Sequence, residues 1–344
     1  NLLASTRHKS SFICHHGTFQ YKRVPFGLKI SSFVQQLLIN NVFKELNFDI
    51  LLAYVDDVLV HSQTFEQHLS HLRLVFERLR AANLTLTPDK CFFATKSVKF
   101  LGHNFSEAGV VPCQSKTDAI DSFPTPRTQK EVKRYLGMTG YYRRFIKNYS
   151  SIAYPLFKLL SKNNTSEVKQ KFVWTPECEE SFRTLKKALV TEPILLRYPR
   201  NDKPYVLQTD GSQIAVSYVL LQEGDDGILH PVCYGGKSLR KEQRNWPPLH
   251  IELYAILLGV REYRSYLISK PFKVITDCRS LQYLRNMALT SGKLTRWNIE
   301  SMQYNLKLNL KRGPKMNCAM RFQEDSIMRL RMTMTVSLIM KKTI

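Results

Sequence analysis

Residues 51–60 read Leu51-Leu52-Ala53-Tyr54-Val55-Asp56-Asp57-Val58-Leu59-Val60. Two apolar runs enclose a pair of adjacent acids, which is the pattern of a β-hairpin with two carboxylates at its bend. Two charges beside a core cost free energy unless a cation neutralises them. Magnesium held by carboxylates and substrate phosphates is the usual solution in polymerases. On the pair alone, a plain Asp-Asp turn is the favoured interpretation, because aspartate is common in turns.

Segments on either side of the pair reverse that preference. They are Val24-Pro25-Phe26-Gly27-Leu28 before it, and Lys90-Cys91-Phe92-Phe93, Phe100-Leu101-Gly102-His103 and Tyr141-Tyr142-Arg143-Arg144-Phe145-Ile146 after it. In this order the segments resemble the reverse transcriptase of gypsy-class LTR retrotransposons, over roughly residues 10–310. The resemblance implies a partial palm-and-fingers fold in which Asp56 and Asp57 are catalytic and bind metal.

The resemblance assigns further roles near the acidic pair. It places Tyr54 in the catalytic turn, and it places Phe26, Gly27 and Leu28 against the incoming nucleotide and template. The segment that positions the primer end comprises Phe100, Leu101, Gly102 and His103.

The family also carries a third polymerase carboxylate upstream of the Phe-Gly-Leu segment. Before Asp56 this chain has only Glu45 and Asp49, and both lie downstream of that segment. The first methionine is Met138, so we interpret the chain as a fragment whose third Asp lies before Asn1 or does not exist. We therefore expect that the chain as given does not extend a primer.

Residues 129–147 match the family's thumb or connection. Six Lys/Arg residues accompany a single acid, Glu131, among aromatic residues. Cations for phosphates beside aromatic faces for bases suit a nucleic-acid grip. An amphipathic helix with core aromatics and solvated charges fits equally, and we expect the aromatics to be divided between the two roles. The candidate grip residues here are Lys133, Arg134, Tyr141, Tyr142, Arg143 and Arg144.

A second group of acids follows Lys203, where the pattern becomes strand, strand, strand, helix, strand. Asp210 and Asp277 each end an apolar strand, and Glu252 lies early in the intervening helix. Three carboxylates that converge at strand ends can hold two magnesium ions about 3.5–4 Å apart for phosphodiester hydrolysis. Composition alone favours three unrelated surface acids, because acidic residues are mostly exposed.

The order Asp, Glu, Asp resembles the ribonuclease H domain that follows this reverse transcriptase. The resemblance implies that Asp210, Glu252 and Asp277 are catalytic and bind metal. Two departures concern the glycines expected after the first Asp, where Ala215 and Ser217 stand, and the fourth carboxylate, whose segment is missing around Ala319. We expect cleavage of the RNA strand of a hybrid to be much reduced, and we expect residues 313–344, which include Asp325, to be disordered.

The composition agrees with a nucleic-acid partner. The chain has 344 residues, with 51 Lys/Arg against 28 Asp/Glu and a formal charge of +23, which favours a polyanion. Its seven cysteines are odd in number and never spaced CxxC, so a disulfide framework or a zinc cluster is not expected. No apolar stretch approaches the length of a membrane span, and the N-terminus has no signal-peptide pattern.

Hydrophobic periodicity predicts the main elements. Helices are predicted at 31–46, 64–82, 176–190 and 249–267, and strands at 19–24, 97–111, 205–209, 216–222, 231–234 and 272–276. The fold class is α+β or α/β, in four regions: 1–122, partial reverse-transcriptase fingers and palm; 123–200, helical thumb or connection; 201–312, a ribonuclease H-like mixed sheet with helices; and 313–344, a degenerate tail.

The function implied is RNA-directed DNA polymerase with ribonuclease H activity, from a retrotransposon Pol polyprotein and impaired by one missing carboxylate in each site. The alternative is an inactive relic that only binds nucleic acid. The resemblance implies two Mg²⁺ ions in each active site, with Mn²⁺ as a substitute. Its implied partners are RNA template, DNA primer, RNA/DNA hybrid, deoxynucleoside triphosphates and other Pol domains of a parent chain, without a membrane. Its implied location is a cytoplasmic retroelement particle or the nucleus.

Overall fold

The computed structural model describes residues 3–25, 27–160, 172–191, 194–278 and 292–310, and the backbone of 334–340. The chain divides into two compact units, one of Asn1–Leu101 with Met328–Ile344 and one of Gly102–Ile327. The described residues of the predicted regions 123–200 and 201–312 lie together in the second unit, because they share an apolar core, which contains Ile120, helices of the connection and Tyr234. The four predicted domain bounds stay a prediction.

The first unit contains six strands, two α-helices and a 3₁₀ segment at Ala4–Ser10 in its described residues before Gly102. They are β1 (Phe12–Cys14), β2 (Gly17–Phe19), α1 (Ser31–Val42), β3 (Leu51–Tyr54), β4 (Asp57–Ser62), α2 (Phe65–Ala81), β5 (Leu86–Thr95) and β6 (Ser97–Phe100). The hairpin predicted over 51–60 is confirmed, since Tyr54 pairs with Asp57. The strand predicted over 19–24 is wrong. Strand β2 folds back onto β1 and ends at Phe19, because Phe19 pairs with Phe12, the first residue of β1.

A four-stranded sheet carries the hairpin, in the order β3, β4, Met334–Met340, β5. Helix α2 begins at a Thr64 cap, whose hydroxyl accepts the Gln67 N–H, and buries Val75 against Val58 and Val60. Residues 334–340 pair with both β4 and β5, so the disorder predicted for the tail is wrong for these seven residues. Strand pairing gives their backbone groups partners on both sides. The rest of the tail that precedes them, including Asp325, lies outside the described residues.

A histidine cluster lies between the end of β4 and α2. The Ser62 hydroxyl contacts Nδ1 of His68 at 3.1 Å and Nδ1 of His71 at 2.8 Å, and Nε2 of the buried His68 has no hydrogen-bond partner. Burial, and then the charge of His71, lower the pKa of His68. Burial also lowers the pKa of His61, with a smaller contribution from His71 and an opposing one from Asp49.

The cluster predicts acid sensitivity of this unit. Because the folded-state pKa of His68 lies below 6.5, the unfolded chain binds the proton more readily, and stability is lost as the pH falls below about 6.5. Urea unfolding between pH 8 and 5 measures the loss, and His68→Leu is expected to flatten it. The exposed His8→Leu is the control. A pH profile identical in wild type and His68→Leu would show that the cluster does not titrate on unfolding.

The second unit contains a hairpin, a helical layer and a five-stranded sheet. Its elements are β7 (His103–Ser106), β8 (Gly109–Pro112), α3 (Gln114–Asp121), α4 (Gln129–Tyr141), α5 (Tyr149–Ile152), α6 (Tyr154–Leu160), α7 (Pro176–Val190), β9 (Tyr205–Gly211), β10 (Ala215–Glu223), β11 (Leu229–Ser238), α8 (Pro248–Glu262), α9 (Arg264–Leu267), β12 (Phe272–Thr276), α10 (Gly292–Met302) and β13 (Leu306–Leu310), with 3₁₀ turns at Arg143–Phe145 and Lys241–Gln243. The predicted helix 176–190 and strand 272–276 are confirmed. No helix in the described ranges is long and apolar enough to cross a membrane.

The five-stranded sheet has the order β11-β10-β9-β12-β13. Strand β9 runs antiparallel to β10 and parallel to β12. Helix α8 packs on β9 and β10 and buries Leu253, Ile256 and Val260 against Leu207 and neighbouring core residues. This packing brings the first turns of α8 to the end of β9, where the predicted acids lie.

Candidate active sites

Two aspartates of the second group of acids, Asp210 and Asp277, lie at one edge of the five-stranded sheet. Ile275 of β12 pairs with Gln208 of β9 in parallel register. Continuing that register by two residues places Asp277 opposite Asp210. Because parallel strands present their carboxyl ends at the same edge, both acids face the crevice where α/β sheets bind ligands.

Glu252 reaches this edge from α8. Its Oε1 accepts the Gly211 N–H at 3.1 Å, while its Oε2 is buried and has no hydrogen-bond partner. A Cβ on Gly211 would lie 2.9 Å from Oε1, so the absence of a side chain at Gly211 lets the carboxylate approach the strand. The motif that identified Asp210 includes Gly211, but only the structure shows this role.

The charges of Asp210 and Asp277 act on Glu252. Burial, and then the charges of Asp277 and Asp210, together raise the pKa of Glu252 to about 7, against the opposing hydrogen bond from Gly211. Across the described ranges, no three His, Cys, Asp or Glu side chains already form a metal-binding cluster. A buried carboxylate oxygen without a partner, facing two further acids, fits a magnesium ligand set of hard oxygens.

The acidic pair of the first unit lies on a two-residue hairpin turn. Val55 has φ +52°, as the first turn position of a primed hairpin turn requires, and the ring of Tyr54 is exposed. Burial raises the pKa of Asp57, and the charge of Asp56 raises it further. Two adjacent carboxylates of like charge repel each other, and a bound cation would relieve that repulsion.

Two glutamines of α1 stabilise this bend through hydrogen bonds, and neither was predicted from the sequence. The Gln36 Oε1 accepts the Val55 N–H at 2.7 Å, and its Nε2 donates to the Ala53 carbonyl at 3.2 Å. The Gln35 amide donates to Asp56 Oδ1. Two adjacent amides within an otherwise apolar stretch of the predicted helix could have indicated these residues.

The remaining predicted residues of the first unit have different environments. Gly27, with φ +89°, and Leu28 are exposed immediately before α1, and Phe26 lies outside the described residues. Phe100 is buried at the end of β6, and Leu101 has φ +46°. A buried ring cannot stack on a base, so the structure assigns Phe100 a packing role rather than direct contact with a primer.

Gly102 and His103 belong to an aromatic cluster of the second unit. The Tyr142 hydroxyl donates to the Gly102 carbonyl at 2.9 Å, and the His103 ring lies 5.5 Å from the rings of both Tyr141 and Phe145. Tyr142 is buried and Tyr141 is 55% exposed. Tyr142 is therefore part of the core and Tyr141 is exposed, and a nucleic-acid contact of Tyr141 stays a prediction.

All four candidate grip cations are exposed. The Arg134 guanidinium lies 5.8 Å from the centre of the Phe123 ring, and that of Arg144 lies 5.9 Å from the Phe145 ring. Arg143 is 3.8 Å from Glu262, and Lys133 lies on the solvent side of α4. Thr128 caps the N-terminus of helix α4, because its hydroxyl accepts the Glu131 N–H.

Two protein families match separate parts of this chain. Residues 3–105 match the reverse transcriptase (RNA-dependent DNA polymerase) family, and residues 174–274 match the RNase H-like domain found in reverse transcriptase. The retrovirus-related Pol polyprotein from transposon 297 of Drosophila melanogaster is 35% identical over 90% of this chain and 28% of its own length. The chain belongs to the reverse transcriptase and RNase H region of transposon Pol polyproteins.

A second relative of this Pol region is the transposon Tf2-7 polyprotein of Schizosaccharomyces pombe, 33% identical over 89% of the chain and 23% of the relative. The chain thus spans about a quarter of the length of these relatives. A solved foamy viral protease-reverse transcriptase in complex with double-stranded DNA has a TM-score of 0.76 and 21% identity, covering 91% of this chain and 54% of that one. This likeness shows the reverse transcriptase fold, a mixture of helices and sheets.

Proposed function

We propose that this protein is an RNA-directed DNA polymerase with ribonuclease H activity on RNA/DNA hybrids, and that both activities are weak in the 344-residue chain. The observation that carries the proposal is Glu252, a buried carboxylate with an unpartnered oxygen beside Asp210 and Asp277. Such an arrangement raises the energy of the folded protein and is explained by a cationic ligand. The relatives' Pol polyprotein names and a foamy viral homologue solved with an RNA/DNA hybrid support the substrate class.

In the nuclease site, Asp210, Glu252 and Asp277 would hold the Mg²⁺ ions. When bound, two such ions supply an activated water and stabilise the charge on the leaving oxygen. The chain's own residues prepare the site, because the Gly211 N–H holds one Glu252 oxygen and the other oxygen is buried without a hydrogen-bond partner. In the polymerase site, Asp56 and Asp57 would hold metal, while Gln35 and Gln36 hold the turn.

The proposed weakness applies to the 344-residue chain by itself. The chain carries two acids at the polymerase bend and three at the nuclease site, one fewer in each than the resemblance implies, and an ion held by fewer carboxylates binds more weakly. RNA template, DNA primer and deoxynucleoside triphosphates are the proposed substrates, with Mn²⁺ as a substitute metal. The proposed location is a cytoplasmic retroelement particle or the nucleus.

Hydrolysis of end-labelled RNA in an RNA/DNA hybrid tests the proposal. We expect slow cleavage that requires millimolar Mg²⁺, is lost in EDTA, and rises as the pH passes through about 7, because Glu252 must lose its proton to bind metal. Primer extension on the same protein is expected to give little product. Robust extension would contradict the proposed impairment of the polymerase site.

The second candidate function is a relic that binds nucleic acid without turnover. The large positive charge favours it as far as binding is concerned. A relic binds hybrid with a steep salt dependence but cleaves nothing at any Mg²⁺ or Mn²⁺ concentration. That combination of results would replace the enzymatic proposal.

A further inference from the structure

The hairpin formed by β1 and β2 presents an aromatic face. Phe12 pairs directly with Phe19 across the two strands, and their ring centres are 5.9 Å apart at an interplanar angle of 26°. The Tyr21 N–H donates to the Ser10 hydroxyl at 3.2 Å, and the Tyr21 ring lies 5.3 Å from that of Phe12. Three rings therefore form one contiguous surface.

This aromatic face is open to solvent. Phe12, Phe19 and Tyr21 are 45%, 47% and 46% exposed, and every residue of β1 and β2 is exposed. A two-stranded hairpin is marginally stable in water without a partner surface, and exposed rings that lie together indicate an interaction site. A bound ligand would cover these exposed rings.

The charges around the hairpin indicate what kind of ligand covers it. Residues 1–44 contain no Asp or Glu, and the first acid of the chain is Glu45. The same stretch contains six Lys/Arg, of which Lys22 and Arg23 directly follow Tyr21, and Arg7 and Lys9 lie in the 3₁₀ segment before β1. An apolar protein segment needs no such uniform positive charge, whereas a polyphosphate does.

The rings distinguish single-stranded from double-stranded nucleic acid. A duplex keeps its bases stacked inside and offers only backbone and groove edges to a flat aromatic surface. A single strand offers free base faces, which stack on aromatic side chains with little sequence preference. Rings flanked by cations therefore match a single strand better than a duplex.

We propose that the face formed by Phe12, Phe19 and Tyr21 binds single-stranded nucleic acid by base stacking, with the neighbouring cations on the phosphates. Binding at this surface needs no metal. It adds a single-strand contact to the proposed enzyme, but it does not depend on turnover and applies equally to a relic.

Fluorescence anisotropy of the whole 344-residue protein with labelled oligothymidylate and with a duplex of equal length, both in EDTA, tests the proposal. We expect Phe12→Ala with Phe19→Ala to weaken single-strand binding by about tenfold or more, because stacking on one ring contributes about that much. Duplex binding is expected to change by less than about twofold on the same scale. Phe12→Trp keeps a stacking surface and is expected to retain binding.

Ile13→Ala is the matched control, because Ile13 lies on the same strand, is 82% exposed and has no ring. It is expected to leave binding unchanged, and circular dichroism of each variant checks folding. Unchanged single-strand binding in the double Phe variant, or an equal loss for the duplex, would overturn the proposal. Since EDTA removes the metals, these outcomes are independent of whether the proposed cleavage occurs.

Discussion

Glu252→Gln is expected to stabilise the metal-free protein and to remove its response to magnesium. Burial and the charges of Asp277 and Asp210 raise the pKa of Glu252 from 4.5 to about 7. Because the folded-state pKa is raised, the folded protein loses stability as the pH rises from 4.5 to 7. Above pH 7 the charged carboxylate destabilises the folded state by the full amount. The full destabilisation is about 3 kcal/mol. Gln keeps the shape without the charge, so at pH 8 in EDTA its free energy of unfolding should be higher by about that amount.

Magnesium is expected to reverse the order of stability of the wild type and the Glu252→Gln variant. Added Mg²⁺ should raise the melting temperature of the wild type, because a ligand that binds only the folded state stabilises it. The variant should show little shift, and its Mg²⁺-dependent cleavage should fall to background. The exposed Glu242→Gln is the control and should behave as wild type. A variant less stable than wild type in EDTA, with an unchanged Mg²⁺ shift, would show that Glu252 is structural and not a metal ligand.

Gly109→Ala is expected to destabilise the unit Gly102–Ile327 by about 3–5 kcal/mol. Gly109 has φ +140°, and a Cβ there would lie 2.2 Å from the Leu196 carbonyl oxygen. That carbonyl accepts the Val110 N–H at 2.9 Å, and the Leu196 N–H donates back to Val110 at 3.0 Å. The clash is with backbone, so a side-chain rotation cannot relieve it. Urea unfolding followed by circular dichroism measures the loss.

Gly137→Ala provides the matched comparison for this glycine. Gly137 lies within α4, and a Cβ there would meet no atom within 4 Å. Alanine favours a helix over glycine by about 0.5–1 kcal/mol, so this variant should be slightly more stable than wild type. Two Gly→Ala changes in one unit are thus expected to have opposite signs. Equal effects would mean that the contact between Gly109 and Leu196 does not restrict the folded chain.

Local sequence patterns predicted elements whose apolar spacing is strong. Helix α7 and strand β12 match their predicted bounds, because each has a cap or turn residue at its ends and a regular apolar face. The hairpin at Asp56 and Asp57 was equally predictable, since the acids interrupt an apolar run. The prediction failed over 19–24, where alternation continues past Phe19 but pairing to β1 ends. Alternation describes a strand's faces and does not locate its partner.

The candidate site residues divide in the same way. Asp210, Glu252 and Asp277 could be named because their order and their places on strands and a helix resemble a ribonuclease H domain. Gln35, Gln36 and Gly211 could not, because each acts through a hydrogen bond to a residue 19 to 41 positions away. Tyr141 and Tyr142 are identical neighbours in sequence, yet one is exposed and the other is buried.

Sequence by itself determined which residue types carry the chemistry of this protein and in what order: an acid pair in a bend, three acids on separate elements, and a strong excess of positive charge. Local periodicity encodes these features, because it depends only on near neighbours. Tertiary structure alone decided that Glu252 keeps an unpartnered oxygen, that Gly109 meets the Leu196 backbone, and that Phe12, Phe19 and Tyr21 share one face. Each of these depends on contacts between residues that packing brings together, and such contacts leave no periodic trace in the chain.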